Sequence, residues 1–312
     1  MAGALRIFEK EFTKLNLRAT RKSCTRGRKL IFQEATQPIP VAFYMFSGPD
    51  FLYVDQFFPK ASVYVLCGKE SMGPPPDPLR IANLSGALGN LENAMKSSLA
   101  TTYFITKDMK IDLQQQNLNG VLPILYVFIA RADKSITECD VRLSEQQRRI
   151  SGKRAGKKGG SIPGCGSTTP TTNRAIPQTL YYFTTDISDG GIKSTPGFLK
   201  FCERFGVGSS FLKSSSYLMF EEGFATIRNF ILEHSNTNCA GRFRNSAWLI
   251  SIQTNGTCAF SALTSARSSS SNNITSPKLQ ELFAQSNPPP LEFGFGYRWN
   301  YKEANLMVAE RK

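Results

Sequence analysis

The chain has 312 residues, of which 41% are hydrophobic and 20% are charged, with a formal net charge of +14. This composition excludes wholesale disorder, and no apolar run approaches the roughly 18–20 residues that a membrane helix needs. The N-terminus lacks the apolar stretch of a secretory signal, so we expect one soluble domain over residues 1–312, cytoplasmic by default and without a membrane partner. The sequence does not predict the oligomeric state.

The first predicted elements form a strand–helix–strand unit. Apolar runs at Val41–Phe46 and Ser62–Cys67 predict strands, and Phe51–Phe58 between them predicts a short helix. The turn after the first strand contains Ser47, Gly48 and Asp50, and Glu70 follows the second strand, 22 residues after Gly48. An acidic residue at about this spacing is typical of a dinucleotide-binding βαβ unit. Only one of the three glycines of that motif is present, so a buried parallel strand pair with a tight turn is the alternative.

The remaining pattern predicts mixed elements, and together they indicate an α/β or α+β fold with a Rossmann-like start and a C-terminal hairpin. Leucines recur at helical spacing between 84 and 99. The later predicted elements are a buried strand at Gly120–Arg131, its hairpin partner at Thr137–Leu143, a strand at Thr179–Ile187, helices at Thr195–Phe205 and Phe220–His234, and a hairpin joining Leu291–Trp299 to Leu306–Ala309.

The residues with chemical potential favour a small-molecule site over a metal site. His234 is the one histidine and no Cys-x-x-Cys pair occurs, so we expect no metal. Asp186 and Asp189 can ligate a hard cation, although carboxylates in a turn more often cap helices. A partly buried lysine at Lys213 needs a partner, for which Asp50, Glu70 and Asp186 are candidates. Arg228 is a candidate anion contact, with a solvated helix flank as the alternative.

The interpretation that follows assigns two sets of site residues. The ligand-binding set comprises Ser47, Gly48, Asp50 and Glu70, and the catalytic candidates are Asp186, Lys213 and Arg228. We expect the Ser47–Asp50 turn, Glu70, Asp186 and Lys213 to sit at strand ends, where α/β proteins usually bind ligands. A methyltransferase-like nucleotide site is the most concrete form of this hypothesis, with S-adenosylmethionine as its cofactor.

Several long motifs resemble those of an uncharacterised bacterial protein family. They are Phe43–Tyr53, Phe57–Pro59, Tyr64–Leu66, Leu180–Phe183 with Asp186, Phe211–Lys213 with Ser216–Met219, Phe224 with Ile227 and Arg228, and Phe293–Trp299. The resemblance covers about two thirds of the chain. It implies no particular activity. The family usually has a histidine near Phe220, which this chain lacks.

Three blocks contain all of the excess positive charge. Residues 18–37, 143–174 and 236–276 have net charges of +5, +6 and +3, and the rest of the chain is neutral. One permitted coding of Asn236–Ser246, read one base later, gives TQTVQDDSGIP, which contains the QDDSGIP expected from the family. We therefore interpret the blocks as frame-slipped segments. The alternative is that they are true basic insertions without order.

Three functions from different classes remain open. A small-molecule enzyme or binder requires the polar residues at the strand ends to converge. Nucleic-acid binding, which we consider unlikely, requires the basic blocks to form one positive face. A non-enzymatic structural or interaction protein also fits the abundant Phe and Tyr, and it requires a large exposed apolar patch.

Overall fold

A computed structural model describes about half of the chain. The described residues are 39–74, 81, 83, 85–87, 89–91, 120–141, 165–169, 177–213, 218, 221–241, 258–265, 290–291 and 305–311. The first basic block, 18–37, lies outside them, as does most of the second. Of the predicted helix between 84 and 99, residues 85–87 and 89–91 are described and helical.

The described residues fold as an α/β protein around one ten-stranded sheet, which confirms the predicted fold class. Its strands are β1 (Ile39–Tyr44), β2 (Ala61–Gly68), β3 (Glu138–Val141), β4 (Cys165–Thr169), β5 (Gln178–Thr184), β6 (Gly208–Leu212), β7 (Ser235–Gly241), β8 (Cys258–Ser265), β9 (Pro290–Leu291) and β10 (Asn305–Arg311). The helices are α1 (Phe51–Phe57), α2 (Leu122–Arg131), α3 (Asp189–Ser194), α4 (Gly197–Glu203) and α5 (Ala225–Glu233).

Five parallel strands form the centre of the sheet in the spatial order β5-β2-β1-β6-β7. The chain runs outward from β1 through β2 to β5, then crosses back and runs outward through β6 to β7. The direction of winding therefore reverses between β1 and β6. In open α/β sheets, ligands bind outside the carboxyl ends of the strands at such a point.

Helices cover both faces of this sheet because β1 alternates its apolar side chains between two cores. Ala42 and Tyr44 pack with α1 and α2 on one face. Val41 and Phe43 pack with α3, α4 and α5 on the other. Strands that are buried on both faces are typical of parallel sheets.

The predicted strand at Gly120–Arg131 is wrong, because these residues form helix α2. Seven of its ten residues are buried, so the apolar run fits a buried strand and a buried helix equally well. Pro123 in the first helical turn is the local signal for a helix, since its missing N–H is not needed there. The predicted hairpin partner of this segment also pairs elsewhere, because β3 is antiparallel to β4.

The predicted C-terminal hairpin is described only in part: its second strand lies in β10, whereas its first strand, Leu291–Trp299, lies outside the described residues apart from Leu291. β10 lies between β7 and β8 and is antiparallel to both, so both of its hydrogen-bonding edges are occupied. Residues 290–291 pair with β8 instead, in parallel. The other predicted strands and helices that fall on described residues are confirmed, with ends shifted by a few residues.

Candidate functional site

The polar residues predicted for a site follow four neighbouring strands at one edge of the sheet. The segment Ser47–Asp50 follows β1, Glu70 follows β2, Asp186 follows β5 and Lys213 follows β6. Because these strands are parallel and adjacent, all four positions lie at the carboxyl edge. Sequence reasoning therefore placed these residues in the same region of the molecule.

Ser47 holds two strands together. Its hydroxyl accepts a hydrogen bond from the Cys67 backbone N–H at 3.2 Å and donates to the Cys67 carbonyl at 3.3 Å. The Gly48 N–H donates to the same carbonyl at 3.1 Å. Ser47 is buried, so its hydroxyl fixes the loop after β1 against β2. This geometry makes Ser47 a structural residue of the site.

Gly48 adopts a left-handed backbone conformation, with φ +50°. A Cβ added there would meet no atom within 4 Å, so there is open space at the point where the loop leaves β1. Other residues rarely adopt a positive φ, which explains why glycine occupies this tight turn. A ligand can therefore approach the backbone closely here.

Asp50 and Lys213 form a buried ion pair where the winding of the sheet reverses. The Lys213 ammonium binds Asp50 Oδ2, and both side chains are at most 4% exposed. The Tyr44 hydroxyl donates to the same carboxylate oxygen at 3.2 Å. Lys213 Nζ also lies 3.9 Å from the centroid of the Tyr53 ring, a cation–π contact. Of the three partners predicted for Lys213, the structure selects Asp50.

Burial dominates the electrostatics of this cluster. The pKa of Tyr44 is raised well above its usual value, chiefly by burial and then by the negative charge of Asp50. The phenol therefore remains protonated and acts as a hydrogen-bond donor to the carboxylate. Lys213 neutralises the charge of Asp50, and the contacts of Asp50 with Lys213 and Tyr44 link the loop after β1 to the end of β6.

Glu70 lies beside Gly48. A Cβ built on Gly68, the last residue of β2, would stand 2.7 Å from Glu70 Oε2 and 3.2 Å from the Cα of Gly48. The Glu70 carbonyl accepts a hydrogen bond from the Thr184 hydroxyl at 3.0 Å, which ties this residue to β5. The carboxylate at the end of β2 is thus adjacent to the glycine turn after β1.

Asp186 is held by its own turn. Its Oδ1 accepts from the Ser188 N–H at 2.9 Å, and its Oδ2 lies 2.9 Å from Lys69 Nζ. The backbone hydrogen bond, followed by Lys69, lowers the pKa of Asp186. The Lys69 side chain is 70% exposed and that of Asp186 is 42% exposed, so this pair is a surface ion pair of small energetic value.

Arg228 belongs to a separate cluster, because its charge acts on Asp189. Both Asp189 oxygens accept backbone hydrogen bonds from the start of α5, from Thr226 at 2.7 Å and from Ala225 at 3.2 Å. The Thr226 bond is the main reason for the lowered pKa of Asp189, and Arg228 adds to it. Asp186 therefore forms an Asx-turn and Asp189 caps a helix. These are the roles that the sequence analysis gave as the alternative to a cation site.

Sequence reasoning missed a second buried ion pair at the opposite, amino edge of the sheet. Lys134 Nζ lies 3.1 Å from Asp55 Oδ1, and both side chains are less than a tenth exposed. Tyr64 donates to the same oxygen at 3.0 Å, and Gln178 binds Lys134. Lys134 follows the last residue of α2, Arg131, by three positions, and this spacing does not by itself indicate burial.

The described residues contain no group of three or more His, Cys, Asp or Glu side chains suited to hold a metal ion. No helix in the described ranges is both long and apolar enough to cross a membrane. No protein-family model, curated protein or solved structure matches this chain. Any function must therefore be argued from the geometry of the carboxyl edge.

Proposed function

We propose that this chain is a Rossmann-like protein that binds an adenosine-containing small molecule at the carboxyl edge of its sheet. S-adenosylmethionine is the most concrete candidate. The observation that carries the proposal is the position of Glu70 beside the Gly48 turn, at the ends of adjacent parallel strands and 22 residues away in sequence. In dinucleotide-binding folds, an acidic residue in this position hydrogen-bonds the ligand's ribose.

The strand order supports the same proposal. The five parallel strands, taken in chain order, lie in the sequence 3-2-1-4-5, which is the order of the first five strands of the dinucleotide-binding fold. Beyond these five strands the sheet continues through β10, which is antiparallel to both β7 and β8. This second argument is a fold-level analogy and favours a ligand class, not a reaction.

The catalytic part of the hypothesis has weaker support. Lys213 is neutralised by Asp50, Asp186 by its turn and Lys69, and Arg228 faces Asp189. The contacts at the described residues therefore place each candidate in a different pair. We infer that Lys213 acts by positioning the β1 and β6 loops around the ligand.

The test is calorimetric titration of the full chain with S-adenosylmethionine, S-adenosylhomocysteine and NAD. We expect binding of the S-adenosyl compounds. We also expect Glu70→Gln to raise their Kd at least tenfold, because a hydrogen bond to a charged group contributes about 1.5–3 kcal/mol. Glu203→Gln is the matched control, since Glu203 ends α4, which leads to the amino end of β6. Absence of binding at millimolar concentrations of the S-adenosyl compounds would refute the proposal. Equal Kd values for wild type and Glu70→Gln would also refute it.

A further inference from the structure

Gly68, the last residue of β2, lies where three groups of the proposed site meet. A Cβ added to it would stand 2.7 Å from Glu70 Oε2, 2.7 Å from the Tyr182 hydroxyl and 3.2 Å from the Cα of Gly48. The φ angle of Gly68 is not positive, so its backbone conformation is open to any residue. The need for glycine is therefore one of space, as is usual where a glycine in a strand permits a close approach.

The strand ends around Gly68 cannot separate to make room for a side chain. The Gly68 carbonyl accepts a hydrogen bond from the Thr185 N–H at 2.9 Å, which ties β2 to the end of β5. On the other side, the Gly48 N–H donates to the Cys67 carbonyl at 3.1 Å. Moving the backbone at residue 68 would break one of these bonds, so a methyl group there has to be accommodated by the neighbouring side chains.

Of the two side chains that a Cβ on residue 68 would meet, Glu70 is the one that can move. Tyr182 is 0% exposed, and a buried ring in a close-packed interior has no space to shift into. Glu70 is half-buried, and its carboxylate is the end of a flexible side chain. A methyl group at position 68 would therefore push this carboxylate away from the Gly48 turn.

We infer that Gly68 is a positioning residue, which keeps the Glu70 carboxylate beside the Gly48 turn by leaving room for it. This inference rests on the proposed function, in which that carboxylate binds a ribose hydroxyl, and it adds a steric requirement at the end of β2. Gly68 acts through Glu70 and is not itself assigned a ligand contact. Removing the Glu70 side chain should therefore also remove the effect of residue 68 on binding.

The experiment is a double-mutant cycle of Gly68→Ala with Glu70→Ala, measured by calorimetric titration of the full chain with S-adenosylhomocysteine. We expect Gly68→Ala alone to raise the Kd about three- to tenfold, the value of one hydrogen bond. In the Glu70→Ala background there is no carboxylate to displace. The same substitution should then change the Kd by no more than about twofold, which is within the usual scatter of such cycles.

Tyr182→Phe separates this positioning role from an effect on folding. Gly68→Ala should lower the Tm, because the added methyl group also meets the buried Tyr182 hydroxyl. Combining it with Tyr182→Phe removes that oxygen, so the Tm should recover while the Kd stays raised. A Kd that recovers together with the Tm would overturn the inference, since a purely structural role predicts that result.

Gly190→Ala is the matched control. Gly190 lies in α3, and a Cβ added there would meet no atom within 4 Å, so the Kd of this variant should equal that of wild type. Equal Kd values for wild type and Gly68→Ala would overturn the inference while the proposed function stands. An equal effect of Gly68→Ala with and without the Glu70 side chain would also overturn it. Failure of wild type to bind any S-adenosyl compound would refute both proposals.

Discussion

Lys213 and Asp50 illustrate how a single buried charge makes its partner indispensable. Removing two charges from water costs several kcal/mol for each ion, and the pair recovers this only through mutual attraction and further hydrogen bonds. Here the Tyr44 hydroxyl and the Tyr53 ring supply those additional contacts. The pair joins the loops after β1 and β6, so its integrity and the shape of the carboxyl edge are linked.

We predict that Lys213→Met lowers the free energy of unfolding by about 3–5 kcal/mol, because it leaves Asp50 buried without its cation. Urea denaturation measures this value. Lys69→Met is the matched control. It breaks the exposed pair with Asp186, which should cost no more than about 1 kcal/mol. The double variant Asp50→Asn with Lys213→Met should recover most of the loss, and a double variant less stable than Lys213→Met alone would contradict this explanation.

At the scale of single residues, the sequence predicted positions better than roles. It placed Ser47, Gly48, Asp50, Glu70 and Lys213 at strand ends, because strand ends are visible in the apolar pattern. It did not reveal that the Ser47 hydroxyl bonds the Cys67 backbone, since that contact depends on the packing of β1 against β2.

At the scale of elements, α5 is capped from a distant part of the chain. Its own N-cap residue, Phe224, makes no side-chain hydrogen bond, and Asp189 accepts from the first two helical N–H groups instead. Asp189 is also the first residue of α3. One carboxylate thus stabilises the start of two helices on the same face of the sheet.

We predict that Asp189→Ala lowers the free energy of unfolding by about 0.5–2 kcal/mol at pH 7, the usual cost of losing a helix cap. The pKa of Asp189 is lowered in the folded state, so its contribution is fully present above the unfolded pKa of about 3.9. It is lost as the pH falls through the lower, folded pKa. Thermal unfolding between pH 7 and pH 2 measures the difference between the two proteins.

The control for this prediction is Glu221→Ala, which removes an exposed acidic residue close to α5 in sequence. Its effect should be within about 0.5 kcal/mol of zero at every pH. A difference between wild type and Asp189→Ala that persists undiminished at pH 2 would show that the carboxylate charge is not what caps the helix.

Elements with a clear hydrophobic period could be predicted from the sequence, whereas fully buried elements could not. The amphipathic pattern of α5 predicted an inward face of Phe224, Ile227, Phe230 and Ile231; the last three are buried, and Phe224, which precedes the helix as its N-cap, is only partly buried. Helix α2 is buried on nearly every side, so its apolar residues show no helical period. The choice between a helix and a strand therefore depended on an apolar run alone. The pairing of β10 with both β7 and β8 joins segments far apart in sequence, which local patterns do not report.

At the scale of the whole molecule, the described parts of two basic blocks lie within the sheet as β4, β7 and β8. β7 buries Cys239, yet Asn238 Oδ1 is buried there without a partner among the described residues. Among the residues whose burial the structure describes, Val207 is the one large hydrophobic side chain that is exposed. The frame-slip hypothesis stays a prediction.

We predict that resequencing the coding DNA across 18–37, 143–174 and 236–276 finds insertions or deletions that restore the alternative frames. The corrected chain would be close to neutral, because the blocks contain all of the excess charge. Clean reads in the present frame would contradict the prediction. They would also make nucleic-acid binding a serious candidate, which a steep fall of affinity with salt concentration would reveal.

The order of the parallel strands has a consequence for how the protein is made. β1 is synthesised before the other described strands, and one of its edges pairs with nearby β2. Its other edge stays unpaired until β6 has been synthesised, which requires the chain to reach residue 212. At ordinary translation rates, about ten to thirty seconds pass before that strand exists. During this interval the nascent chain presents an unpaired apolar edge, the kind of surface that aggregates and that chaperones cover.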